Sequence, residues 1–119
     1  MGVLAVVAIF DDFMAQTVVM THQAHWGERQ LATMFAHVVP VPGLAPGQVC
    51  CPGRQVAAVA ASRTTAPPHL HLSLLAAPAA FPWMSLQGWP DTSDAGEIAT
   101  FRVHGAGGEL GVGVCRFEV

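Results

Sequence analysis

Two kinds of apolar pattern fill the first forty positions. From Val3 to Met20 the apolar run is nearly continuous, interrupted by Asp11 and Asp12 and again by Gln16. Val3, Val6, Val7 and Ile9 favour a buried strand, whereas the length of the run and the spacing of Asp12 and Gln16 suit a helix with one narrow polar stripe. The length tips the expectation to a helix. After Gly27 the spacing is more regular: Leu31, Met34, Phe35 and Val38 fall at i, i+3, i+4 and i+7, which predicts a helix over 28–39. Glu28 suits the dipole of its first turn, and Pro40 ends it because the residue before a proline is driven out of helical space.

Beyond Pro40 the pattern changes. Residues 40–53 contain four prolines and three glycines, which remove backbone donors and break both helix and ladder, so this stretch reads as an irregular loop. Residues 55–61 form a short apolar run. Residues 69–75 alternate strictly, with Leu70, Leu72 and Leu74 on one face of a strand and His69, His71 and Ser73 on the other. Residues 77–97 mix three prolines, Trp83, Trp89 and a polar cluster at 91–94, and read as a second loop with aromatic anchors. At the C-terminus, Phe101 and Val103 alternate with Arg102 and His104. A glycine-rich turn at 105–108 follows, and Leu110, Val112 and Val114 resume the period of two, which predicts a β-hairpin with a second strand weakened by Gly111 and Gly113. The chain contains no internal repeat. The expected fold is a single small α+β domain over residues 1–119, helical in its N-terminal part and ending in a β-hairpin.

Composition narrows the function classes. Apolar residues make up 52% of 119 positions and charged residues only 11%, against about 25% in ordinary soluble domains, so the surface carries little charge. Lys, Asn and Tyr are absent, which excludes Schiff-base lysines, tyrosine acids and N-linked glycosylation. The net charge is −3, and the arginines (Arg29, Arg54, Arg63, Arg102, Arg116) are scattered, whereas nucleic-acid binding needs clustered cations; no nucleic-acid partner is expected. A recently arisen, GC-rich reading frame would produce the same bias. Cys50, Cys51 and Cys115 are odd in number and two are adjacent, so no disulfide framework is readable and an intracellular, reducing compartment is favoured.

The N-terminal run approaches membrane-spanning length, but two aspartates at mid-depth would each cost about 2.5–3.5 kcal/mol on insertion scales. It lacks the basic start and small cleavage-site residues of a signal peptide, and Val6 stands where a myristoylation motif needs Ser or Thr. Membrane association through an apolar surface is retained as an expectation.

Six histidines invite a metal reading. His22 and His25 would share a helix face at i, i+3, and His69 and His71 a strand face; together they form a candidate zinc set, with Cys50 and Cys51 as further donors. Adjacent cysteines are not the usual Cys-x2-Cys chelate, so the main expectation is no cofactor. The tripeptide His71-Leu72-Ser73 within an apolar strand resembles the His-x-Ser/Thr element of two-histidine phosphoesterases. The resemblance implies a general acid and base on neighbouring strands, and it covers about eight residues. A second element is missing, because His22, His25, His37 and His104 are not followed by a hydroxyl at the required place.

Asp11-Asp12 after an apolar run is similar to the Mg²⁺-holding acidic pair of receiver-like domains, but the lysine such domains use is absent. No serine lies in a Gly-x-Ser-x-Gly elbow, and a phosphate loop is impossible without lysine. With no complete catalytic signature, the leading expectation is a small non-enzymatic interaction protein that meets an unidentified protein partner through Leu31, Met34, Phe35 and Val38. The alternative is a histidine-based metal-binding or phosphoesterase-like site.

Overall fold

The computed structural model describes residues 4–51, 53–61, 69–92, 95–104 and 111–112. It is an antiparallel β-sheet protein, and the expected α+β fold with a helical N-terminal part is not what the chain forms. The strands are β1 (Leu4–Asp11), β2 (Gln16–Trp26), β3 (Arg29–Pro40), β4 (Val49–Cys50), β5 (Ala57–Val59), β6 (His69–Pro78), β7 (Gly96–His104) and β8 (Gly111–Val112). The order β4-β1-β2-β3-β5-β8 runs across the sheet, and β6 pairs with both β3 and β7. The only helical elements among the described residues are two 3₁₀ turns, Trp83–Ser85 and Trp89–Thr92, and no helix there is long and apolar enough to cross a membrane.

The region expected to be a helix over 28–39 is the central strand. β3 pairs with β2 along one edge and with β5 and β6 along the other, and residues 32–38 are all buried. A strand covered on both faces reads as a continuous apolar run rather than an alternating one, and within such a run a 3.6-residue spacing can be picked out by chance. The same burial on both faces explains β1. Between β2 and β3 the two-residue turn Gly27-Glu28 carries Gly27 at φ 61, a left-handed value suited to the first position of a II′ hairpin turn.

The C-terminal hairpin is also corrected. β7 pairs with β6 along nearly its whole length, while β8 pairs with β5. The expected turn at 105–108 and the positions Leu110 and Val114 lie outside the described residues. β6 offers β7 a ten-residue edge, which a short glycine-interrupted strand cannot match. The loop expected over 40–53 contains β4, which adds to β1 through Leu4 and Ala5.

Each face of the sheet has its own core. One packs Val6, Val18, Met20, Phe35 and Val38 beneath Val56, with Leu44 packed against it. The other packs Phe10, Val19, Met34 and Leu75 beneath Trp83 and Leu86. The segment 79–92 is tied across this second face by two indole N–H groups: Trp83 donates to Gln30 Oε1 (3.1 Å) and Trp89 to Thr17 Oγ1 (3.1 Å).

Two bulges set which side chain faces which core. In β1 the register slips between Val6 and Ala8, so Val6 joins the first core and Ala8 and Phe10 the second. In β3, Ala36 pairs with Thr17 and Val38 with Gln16, which leaves His37 as the extra residue.

Candidate functional site

The β3 bulge creates the site. His37 has φ 67, the one non-glycine positive φ among the described residues, a conformation costing about 1–2 kcal/mol for an L-residue. Its backbone is satisfied outside the sheet ladder: its N–H donates to Asp12 Oδ2 (3.0 Å), and its carbonyl accepts from Ala60 N–H (3.0 Å). Because the bulge inserts one residue, Val38 turns into the first core and the His37 ring joins the face occupied by His69 and His71 of β6.

Asp12 is the hub. It follows β1 at the start of the β1–β2 turn, where Asp side chains commonly bond the backbone just ahead. Its Oδ1 accepts from Met14 N–H (2.9 Å) and Ala15 N–H (2.8 Å), and its Oδ2 from the Thr17 hydroxyl (2.7 Å). The His37 ring adds Nδ1 to Oδ1 at 3.1 Å, with both side chains almost fully buried. Burial alone would raise this carboxyl, but the bonds from Ala15, Thr17 and His37 outweigh it and hold Asp12 well below the usual carboxylate range. An ionised carboxylate only accepts, so the proton in this contact sits on His37 Nδ1, which leaves Nε2 as the nitrogen able to exchange a proton.

A cleft of about 630 Å³ opens beside this pair, lined by Asp11, Asp12, Phe13, His37, His69, His71 and the segment Gly88-Trp89-Pro90. His37 meets His69 edge to face, with centroids 4.9 Å apart, and lies 6.0 Å from His71. His71 reaches this position because its register partner on β3 is Ala36, the residue before the bulge. His71 Nε2 contacts the hydroxyls of Thr100 (2.8 Å) and Ser73 (3.5 Å). A hydroxyl both donates and accepts, so His71 keeps its partners in either protonation state, whereas His37 is fixed by a carboxylate.

The candidate zinc set is split by the sheet. His69 and His71 line the cleft, but His22 lies on the opposite face, where its Nε2 contacts Thr33 Oγ1 at 2.6 Å and burial lowers its pKa. His25 is exposed near the end of β2. Cys50 is buried in the first core and Cys51 is exposed, both as free thiols. Among the described residues no group of three or more His, Cys, Asp or Glu side chains is arranged to hold a metal ion. Of the candidate interaction residues, Met34, Phe35 and Val38 are buried and Leu31 is half-buried.

The sequence pattern pointed to His69, His71 and Ser73 but missed His37, Trp89 and the carboxylate role of Asp12. Asp12 had a signal, an Asp at a break between two apolar runs. His37 had a fainter one, a lone polar residue inside an apolar stretch. The chain matches no family model, and no curated protein or solved structure shows significant similarity to it.

Proposed function

We propose that the cleft is an acid–base site acting on a small phosphodiester. The observation that carries this is the Asp12-oriented His37 facing His71 of the adjacent strand across one cleft, two imidazoles with different partners and therefore different roles. His37 Nε2 takes a proton from water as the water oxygen bonds to phosphorus. Protonated His71 gives its proton to the departing alcohol oxygen as that P–O bond breaks, and exchange with solvent restores both rings. The His71-Leu72-Ser73 element supports the reading. His37 lacks the hydroxyl two residues on that the phosphoesterase element would have, and Thr100 places a second hydroxyl beside His71 instead.

The test is release of phenol from methyl phenyl phosphate, whose leaving oxygen needs the proton that His71 would give. The unaltered protein should show a bell-shaped pH dependence, because one imidazole must be neutral and the other charged. His37→Ala and His71→Ala should each lower the rate by about 10²–10⁴-fold. No turnover by the unaltered protein, or turnover by either variant equal to that of the unaltered protein, overturns the proposal.

A second reading, contact with a protein or membrane surface, draws on the large apolar side chains that stand in solvent: Phe13, Trp26, Val39, Val49 and Met84. Met34, Phe35 and Val38 cannot take part in it without leaving the cores.

A further inference from the structure

We infer that Thr100 is the hydroxyl through which His71 hands its proton to the departing alcohol. The inference rests on the acid–base reading above and adds a catalytic residue to it.

The register of β6 against β7 sets Thr100 directly opposite Ser73. Residues opposite each other across an antiparallel pair share a face of the sheet, and Ser73 shares its face with His71, two residues before it. Three polar side chains therefore meet. His71 Nε2 lies 2.8 Å from Thr100 Oγ1 and 3.5 Å from Ser73 Oγ, and the two hydroxyls are 3.3 Å apart. Only one of these hydroxyls can be reached from outside, because Ser73 is fully buried and Thr100 is exposed. His71 lines the cleft, and the path from its Nε2 to a departing oxygen runs past the Thr100 hydroxyl.

The protonation state sets the direction of each bond in this cluster. To act as the acid, His71 carries a proton on both ring nitrogens, so Nε2 can only donate. Thr100 Oγ1 then accepts from it. Ser73 meets no acceptor on a charged Nε2, and its hydroxyl turns to the second lone pair of Thr100 Oγ1. With both lone pairs occupied, Thr100 keeps its own proton for a group outside the cluster. As the P–O bond breaks, its electron pair stays on the alcohol oxygen, which takes the Thr100 proton while Thr100 takes the Nε2 proton. The hydroxyl is regenerated and His71 is left neutral, so the step balances without a further reactant. Threonine suits this task because its branched side chain has few rotamers, which keeps Oγ1 on its partners as the protons move.

The experiment compares two leaving groups on the full chain. Methyl phenyl phosphate releases a basic oxygen that needs a proton, whereas methyl 4-nitrophenyl phosphate releases an oxygen that is stable as the anion. Thr100→Val is close in shape but lacks the hydroxyl, and it should lower the ratio of phenol to 4-nitrophenolate release by about 10²-fold. The loss should fall on kcat and not on KM. Thr100→Ser should restore most of the ratio, and Ser73→Ala should move it less than Thr100→Val does.

A ratio unchanged in Thr100→Val assigns Thr100 a purely structural role and overturns the inference. A ratio that Thr100→Ser fails to restore, or that Ser73→Ala lowers more, overturns it as well. If Thr100→Val does not fold, Thr100→Ala decides by the same ratio. Phenol release that falls in His71→Ala but not in Thr100→Val overturns the relay and leaves the acid–base reading. No release of either leaving group by the unaltered protein overturns the acid–base reading, and the relay with it.

Discussion

The two faces of the sheet are built from the same strands but solve different problems. The first is a dry core in which Phe35, Met20, Val18 and Val38 are essentially inaccessible, and dispersion and burial supply its stability. The second is dry only over half its length, beneath Trp83 and Leu86. Its other half is a charged and polar network converging on Asp12. Among the described residues no buried side-chain nitrogen or oxygen lacks a hydrogen-bond partner, so that network meets the condition under which buried polarity is tolerated. The difference teaches that the apolar face specifies the sheet, while the polar half-face is an addition with its own costs, which is where function is expected to be found.

The largest effects should separate the faces by their pH dependence. Phe35→Ala should cost about 3–5 kcal/mol through cavity formation, and denaturant unfolding should return much the same loss at pH 7 and pH 3. Asp12→Ala should cost a comparable amount, about 3–5 kcal/mol, near neutrality by stripping a buried carboxylate from its partners. Here the loss should depend on pH. The folded carboxyl titrates below its unfolded value, so its stabilisation is fully present above the ordinary carboxylate range and disappears as pH falls through the folded pKa. The penalty of Asp12→Ala should therefore shrink on acidification, and a penalty constant with pH would show that Asp12 acts by packing alone.

A smaller effect concerns the bulge. His37→Ala keeps the left-handed backbone and loses the imidazole, and His37→Gly loses the imidazole and relieves the backbone. The glycine variant should be the more stable of the two by about 1 kcal/mol, measured by thermal or denaturant unfolding. Equal stabilities would mean that the positive φ carries no strain.

The smallest effect lies on the dry face. Burial lowers the His22 pKa, so the unfolded chain takes up the proton first and stability should decline as pH falls below the ordinary imidazole range. His22→Gln should flatten that decline, and an unchanged profile would assign it to another group.

Legibility in the sequence followed the environment of each element. β6 was readable because one of its faces is lined by Leu70, Leu72 and Leu74 and the other by His69, His71 and Ser73, so its period of two survives in the sequence. β1 and β3 were not, because covers on both faces erase alternation, and the i, i+3, i+4, i+7 spacing of Leu31, Met34, Phe35 and Val38 then imitates a helix. The pairing of β7 with β6 and of β8 with β5 depends on contacts distant along the chain, which local turn chemistry cannot report. At the site, His69 and His71 were legible as a pair. Their union with His37 and Asp12 depends on a bulge and a turn that bring together residues 12, 37 and 69–71, and no local spacing encodes it.

The bulge at His37 has a further consequence in terms of insertion and deletion. The bulge absorbs its extra residue, so β3 beyond it faces as an unbulged strand one residue shorter would. Deleting His37 would restore unbroken alternation with Ala36 opposite Thr17 and Val38 opposite Gln16 as before, so Val38 would stay buried and Val39 exposed, and the loss would be confined to the imidazole and its bonds to Asp12. The strand on either side is therefore laid down independently of the extra residue, and shortening the chain by one there would dismantle the Asp12–His37 pair while sparing the sheet.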